Sequence, residues 1–182
     1  SRPWNPLVER QKDVSAVLFV DVSDSTRLYE KMGDTAAFSL VRECLQLLTE
    51  AAKHFNGRVV KTIGDGAMCA FGNADDAALA AAEMQDRIDL RPPSPGRSKL
   101  TVRIGFHYGP VLREGNDVFG DTVNTAARMS GLAVPGQILM TGATAKLLSP
   151  ALRAKTRRLD ALAVKGKAKA IKDRKSTRLN SS

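Results

Sequence analysis

An α+β sandwich on a βαββαβ core is the fold this sequence predicts, and three observations predict it. Two β-prone apolar runs, Val59 to Ile63 and Ala67 to Phe71, are clasped around Gly64-Asp65-Gly66, a strong hairpin signal. An almost continuous apolar run, Val14 to Val22, and an alternating run, Leu100 to Tyr108, supply further strands on either side of it. Two helical patterns, Thr35 to Phe55 and Ala74 to Leu90, fall between them, giving the order strand, helix, hairpin, helix, strand. Elements in that order predict a ferredoxin-like sandwich, with its helices on one sheet face and additional strands at the C-terminal end.

A chain of 182 residues suits one domain with a substantial core. The expected organisation is an N-terminal linker over 1–13, marked by Pro3 and Pro6, a domain over 14–172, and a tail over 173–182, DRKSTRLNSS, which is disordered or an appended non-native segment. No apolar run approaches about 18 residues and no basic-then-apolar leader opens the chain, so neither membrane insertion nor export is expected. Cys44 and Cys69 lie in an apolar helix pattern and an apolar strand without metal-site spacing, which predicts reduced core thiols and a cytoplasmic protein. The net charge of +9 invites a nucleic-acid reading, but its location argues otherwise. Residues 1–150 carry 17 basic and 17 acidic side chains, whereas 151–182 carry 11 and 2, so the whole excess lies in the C-terminal segment 151–182. With two tyrosines and one tryptophan there is no platform for stacking bases, and sequence-specific nucleic-acid recognition is not expected.

Along the chain, the first strand carries one acid, Asp21, near its end. A buried, unpaired carboxylate is costly, so a cation beside it is expected. Ser23-Asp24-Ser25-Thr26 supplies helix-capping residues, and a helix beginning at Arg27 would aim free N–H groups beside Asp21, an anion site next to a metal site. The helix after Thr35 presents Phe38, Val41, Leu45, Leu48 and Ala52 at three-four spacing, and Gly57 ends it. In the hairpin, Lys61 shares a face with Ile63 and Asp65 sits at the tip; taken singly these are a solvated strand position and a turn-former. Asp75 and Asp76 suit the start of the second long helix, RPPSPGRS at 91–98 is a loop, and Gly109-Pro110 is expected to turn the Leu100–Tyr108 strand into Val111 to Arg113. His107 reads as a satisfied strand residue.

The segment DVFGDTVNTAARMSG, 117–131, predicts a helix from about Thr122 in which Asn124 and Arg128 stack at i and i+4, with Val123, Ala126, Ala127 and Met129 facing the core. A turn and strand over 134–141, a short helix over 142–148 and a hairpin over 159–171 around Gly166 complete the reading. Although 44 residues separate Asp21 from Asp65, adjacent central strands can bring them together. Two carboxylates completed by phosphate oxygens are how a protein commonly holds Mg²⁺.

FVDVSDST, VVKTIGDGAMCAF, VRIGFHYGP, DVFGDTVNTAARM and VKGKAKAI, in this order, resemble the catalytic domain of class III nucleotidyl cyclases, across roughly residues 14–172. The resemblance implies an adenylyl cyclase that converts ATP to 3′,5′-cyclic AMP and pyrophosphate with two divalent cations, Mg²⁺ or Mn²⁺. It implies Asp21, Asp65 and the adjoining Val22 at the metals, and Lys61 with Asp117 on the adenine. It further implies Asn124 and Arg128 at the transition state, Arg103 and Lys165 on the phosphates, and Ser25 and Thr26 in the phosphate-facing turn. Asp24 departs from the glycine that many relatives have there. The same pattern implies a homodimer with shared active sites, each built from Asp21, Asp65 and Arg103 of one chain and Lys61, Asp117, Asn124, Arg128 and Lys165 of the other. A regulatory region upstream of residue 1 is expected as well. A guanylyl cyclase would need the donor and acceptor at Lys61 and Asp117 exchanged, and a noncatalytic nucleotide-binding domain would lack one of the metal aspartates or the Asn/Arg pair.

Overall fold

The computed structural model describes residues 10–23, 25–91, 99–159 and 168–171. The elements are β1 (Gln11–Ser23), α1 (Ser25–Met32), α2 (Asp34–His54), β2 (Arg58–Ile63), β3 (Gly66–Phe71), α3 (Ala74–Asp89), β4 (Thr101–Glu114), β5 (Asp117–Phe119), α4 (Asp121–Leu132), β6 (Ile138–Thr141), α5 (Gly142–Ala145), α6 (Pro150–Arg153), β7 (Thr156–Leu159) and β8 (Ala168–Ile171). One eight-stranded sheet runs β2-β3-β1-β4-β6-β8-β7, with β5 added to β4. Its first four strands are the expected βαββαβ core, all neighbours antiparallel; among the described residues only β4 and β6 pair in parallel.

Alternation along β1 sorts the two faces. Ala16, Leu18, Val20 and Val22 enter the larger core with Cys44, Leu48, Ala77, Ala81 and Met84 of α2 and α3, while Val17 and Phe19 face a smaller cluster with Met68, Val60 and Ala126. Fully burying side chains such as Leu18 or Phe106 contributes about 1.5–3 kcal/mol each, which makes the larger cluster the main anchor of the fold. The expectation that all helices share one face is therefore corrected: α4 covers the opposite face. Gly105 admits it, because a Cβ there would lie 2.0 Å from the Ser130 nitrogen and 2.4 Å from the Met129 carbonyl carbon.

Other expectations shift for local reasons. β1 begins at Gln11, inside the expected linker, because Gln11 to Asp13 pair with Arg113 to Val111. Gly109-Pro110 makes no turn; β4 runs straight through, Pro110 opposite Val14, and Gly109 leaves room for α4, where an added Cβ would meet Thr122 Oγ1 at 2.6 Å. The true turn is Gly115-Asn116, which closes β4 onto β5 with Gly115 at φ +60°. On α2 the buried face is Ala37, Leu40, Val41, Cys44, Leu48, Ala51 and Ala52, and Phe38 is exposed, since it lies about 100° around the helix from Ala37 at the centre of that face. On α4, Ala126 and Met129 are buried as expected, but Ala127 is exposed and Val123 half-buried, and Thr122 and Ser130 take the inner positions. The short helix after β6 ends at Ala145, and Pro150 starts another. The terminal hairpin begins earlier, at Thr156, pairing Thr156–Leu159 with Ile171–Ala168; Gly166 lies outside the described residues. Both cysteines are free and buried, and burial pushes the Cys44 thiol up to about 11 and that of Cys69 up to about 12, so neither is reactive near neutrality. Among the described residues no helix is long and apolar enough to cross a membrane.

Candidate active site

The β2–β3 hairpin closes through Gly64 and Asp65, with positive φ at Gly64 alone, the pattern a II′ turn needs. Gly66 then lies opposite Asp21 of β1. A Cβ on Gly66 would fall 2.3 Å from the Val20 carbonyl oxygen and 3.2 Å from Asp21 Oδ1, so only glycine lets the tip close over β1. The Val22 N–H donates to the Asp65 carbonyl oxygen at 3.4 Å and seals the contact. Asp21 and Asp65 are thus neighbours at the hairpin tip, close enough for the charge of Asp65 to act on Asp21. Asp21 is exposed rather than buried, at the end of the sheet face that carries α4. Its carboxyl is nonetheless partly desolvated, and that burial is the largest cause raising its pKa above 3.8; the Asp65 carboxylate raises it further, while Arg103 and the Val22 N–H act against the shift.

Two carboxylates near enough for one to raise the pKa of the other supply hard oxygen donors of the kind that suit divalent cations of the Mg²⁺ class. Val22 can add only its main-chain carbonyl, because its side chain is in the core. Among the described residues no group of three or more His, Cys, Asp or Glu could hold a metal by itself, so the remaining ligands of such an ion would be substrate oxygens and water.

Beside Asp21 an open cleft of about 550 Å³ is lined by Asp21, Val22, Ser23, Ser25, Arg27, Glu30 and Arg103. Arg103 stands directly opposite Asp21 in the β1–β4 register, and α1 begins at Ser25 on the same rim. Two polar atoms here are buried without a hydrogen-bond partner among the described residues, Ser23 Oγ and Arg103 Nε. Orphaned donors at the mouth of a helix N-terminus suit an anion that supplies their missing acceptors. Ser23 and Arg27 were not singled out from the sequence, where Ser23 reads as one of four capping residues; the only available signal was its parity with Asp21 along β1.

The hairpin's other functional side chain is aimed by a β-bulge. Val59 pairs with Cys69, and the next matched pair is Lys61 with Met68, so Val60 is the extra residue. Lys61 is thereby turned to the α4 side of the sheet, the side of Met68, where its Nζ reaches Asp117 Oδ2 at 3.3 Å. Asp117 is fixed at the start of β5, its Oδ1 accepting the Val118 N–H at 2.9 Å. Asn124 and Arg128 lie one turn apart on α4, both exposed, and neither side chain makes a hydrogen bond among the described residues. Within one chain, then, the structure groups Asp21, Asp65, Val22, Arg103 and Ser25 and pairs Lys61 with Asp117, while Asn124 and Arg128 lie on the exposed side of α4. Lys165, Asp24 and the side chain of Thr26 lie outside the described residues.

Residues 7–174 match the family model described as the adenylate and guanylate cyclase catalytic domain. Among curated relatives, an adenylate cyclase of Anabaena cylindrica is 31% identical, the match covering 85% of this chain and 35% of that protein. An uncharacterized protein of Mycobacterium tuberculosis is 35% identical over 66% of this chain and 31% of its own length. The chain thus spans about a third of those relatives. Among solved structures, the catalytic core of a rhodopsin-guanylyl cyclase with converted specificity, in complex with ATPαS, superposes with a TM-score of 0.77 at 26% identity, covering 89% of this chain and 96% of that one. The guanylate cyclase domain from Catenaria anguillulae in complex with GTP gives 0.75 at 26%, covering 89% and 98%. An adenylyl cyclase from P. aeruginosa, at 21% identity, shares the fold with a TM-score of 0.76 over 91% of this chain and 97% of its own.

Proposed function

The chain belongs to the family of adenylate and guanylate cyclase catalytic domains, and from that premise we propose that it converts ATP to 3′,5′-cyclic AMP and pyrophosphate at sites shared by two copies of the chain. The observation that carries the choice of base is the pairing of Lys61 with Asp117 at 3.3 Å. A donor and an acceptor side by side complement adenine, whose N1 accepts and whose exocyclic amine donates; guanine offers a donor at N1 and an acceptor at position 6 and would be mispaired twice.

The reaction joins the ribose 3′-oxygen to the α-phosphorus as the bond to the pyrophosphate oxygen breaks. Catalysis of such a displacement is largely positioning and charge neutralisation. Asp21 and Asp65, with the Val22 carbonyl, would hold two divalent cations, which supply Lewis-acid activation of the 3′-oxygen and charge neutralisation on the phosphates when bound. Arg103 and the orphaned Ser23 hydroxyl would hold the departing phosphates in the cleft, beside the N–H groups of α1 at Ser25 and Thr26, with Lys165 contributed by the second copy. Arg128 would meet the charge growing on the α-phosphoryl group and Asn124 would orient the ribose. The side chains of Asn124 and Arg128 make no hydrogen bond in their own chain among the described residues, and we assign them, together with Lys61, Asp117 and Lys165, to the site completed by a second copy related by a two-fold axis. We place the reaction in the cytoplasm, under control of regions outside these 182 residues. Incubation with ATP or GTP and either Mg²⁺ or Mn²⁺, with identification of the product, tests the reading: cyclic AMP is expected in clear excess, and equal use of the two nucleotides overturns it.

A further inference from the structure

We propose that Arg58 is a positioning residue for the purine-reading pair: its guanidinium ties β2 to the turn between β4 and β5 and so sets the separation of Lys61 and Asp117. The inference rests on the reading of that pair as the base-recognition element.

Lys61 and Asp117 stand on two strands that share no ladder. β2 is the edge of the sheet and pairs with β3 alone; β5 pairs only with the far end of β4. Their relative position is therefore not set by main-chain pairing. Among the described residues two polar contacts bridge the strands. One is the Lys61–Asp117 contact itself, and the other is Arg58 Nη1 donating to the Asn116 carbonyl oxygen at 2.8 Å. The second ends on the main chain of the residue just before Asp117, so it holds the backbone that carries the carboxylate.

The bulge at Val60 is what puts Arg58 and Lys61 to work together. Arg58 pairs with Ala70 and Lys61 with Met68, positions of like parity on β3, so both project from the same face although they are three residues apart on β2. In a regular strand, residues three apart face opposite ways.

Binding of a base makes the distinction consequential. To donate to and accept from a purine, Lys61 and Asp117 must turn their hydrogen-bonding capacity from each other to the ligand. Of the two bridges, only Arg58 to Asn116 then remains to hold the spacing. A charged donor on a carbonyl is stronger than a neutral pair, and its planar geometry resists reorientation.

The test compares unmodified protein, Arg58→Ala and Arg58→Lys in three measurements: KM and kcat for ATP and for GTP, amide hydrogen exchange of residues 114–119 without nucleotide, and thermal midpoint. In Arg58→Ala the preference for ATP over GTP is expected to fall about three- to tenfold, the net worth of one typical solvent-accessible hydrogen bond, mainly through KM for ATP. Exchange in residues 114–119 is expected to accelerate while the thermal midpoint stays close to that of the unmodified protein. Arg58→Lys, which keeps a cationic donor, is expected to recover part of both. If the unmodified protein prefers ATP and Arg58→Ala changes neither selectivity nor exchange, the positioning role alone is overturned. If the unmodified protein uses ATP and GTP alike, the base-recognition reading of Lys61 and Asp117 fails and takes this role with it.

Discussion

Lys61 Nζ lies 3.3 Å from Asp117 Oδ2 across 56 residues of sequence, and both groups remain partly open to solvent. An exposed ion pair of this kind contributes at most about 1 kcal/mol to stability, so its chief consequence lies in what it offers a ligand. Lys61→Glu replaces the donor by an acceptor and sets two carboxylates face to face. Turnover of ATP is expected to fall at least about tenfold relative to GTP, with little loss of thermal stability. Steady-state rates on the two nucleotides check this; an unchanged ratio would remove the pair from base recognition.

Asp21→Asn and Asp65→Asn are each expected to abolish cyclic-nucleotide formation while preserving the fold. The raised pKa of Asp21 sharpens the expectation. A carboxyl that binds its proton more tightly folded than unfolded favours the folded state most at low pH, and that contribution is lost as pH rises from 3.8 through the raised value. At neutral pH, with chelator present, Asp21→Asn should therefore melt no lower than the unmodified protein. Stabilisation by added Mn²⁺ should appear only in the unmodified protein. A clearly lower melting temperature for the asparagine variant would mean that the carboxylate serves the fold.

Gly105→Ala is expected to destabilise the protein by about 1–3 kcal/mol or more, since the new methyl meets the α4 main chain and not a flexible side chain. Any folded fraction should also lose activity disproportionately, because displacing α4 moves Asn124 and Arg128. Denaturant unfolding combined with specific activity per folded molecule separates the two effects, and normal activity in a stable variant would place α4 elsewhere.

His107 gives a prediction of opposite sign in pH. Its Nδ1 is 2.7 Å from Thr141 Oγ1 and 3.2 Å from Thr144 Oγ1, and burial lowers its pKa below 6.5 although Asp121 opposes the shift. A histidine held neutral in the fold stabilises above its ordinary pKa and loses that contribution as pH falls through 6.5 toward the lowered value. His107→Gln, which keeps a polar partner for the threonines, should flatten the fall in melting temperature on acidification from pH 7 to 5. A variant as acid-sensitive as the unmodified protein would exonerate this residue.

Mixing Asp65→Ala with Asn124→Ala chains, each inactive alone, should restore activity, because one site of the mixed dimer then contains only unmodified residues. Specific activity should likewise fall on dilution as dimers part. Demonstrated heterodimers that remain inactive, or a monomer with full turnover, would rule out shared sites.

Much of this was legible in the residues themselves because it depends on local chemistry. Gly64-Asp65-Gly66 between two apolar runs specifies a tight turn with a carboxylate at its tip, the three-four spacing from Val41 to Ala52 specifies a helix, and Asp21 near the end of an apolar strand marks a polar site at the end of that strand. The motif order sufficed to identify the family. What tertiary structure decided is what depends on how elements approach one another. No local pattern shows that β4 continues through Gly109-Pro110, since the strand is held there by pairing with β1 and by the room that Gly109 leaves for α4. Nor does any pattern announce the extra residue at Val60, whose single-residue offset in register turns Lys61 toward Asp117. Likewise, Ser23 reads as one capping residue among four until burial strips its hydroxyl of partners beside Arg103. Side-chain type and spacing are written in the chain, whereas register, helix face and the company a polar atom keeps are set by long-range packing, which couples residues that sequence separates.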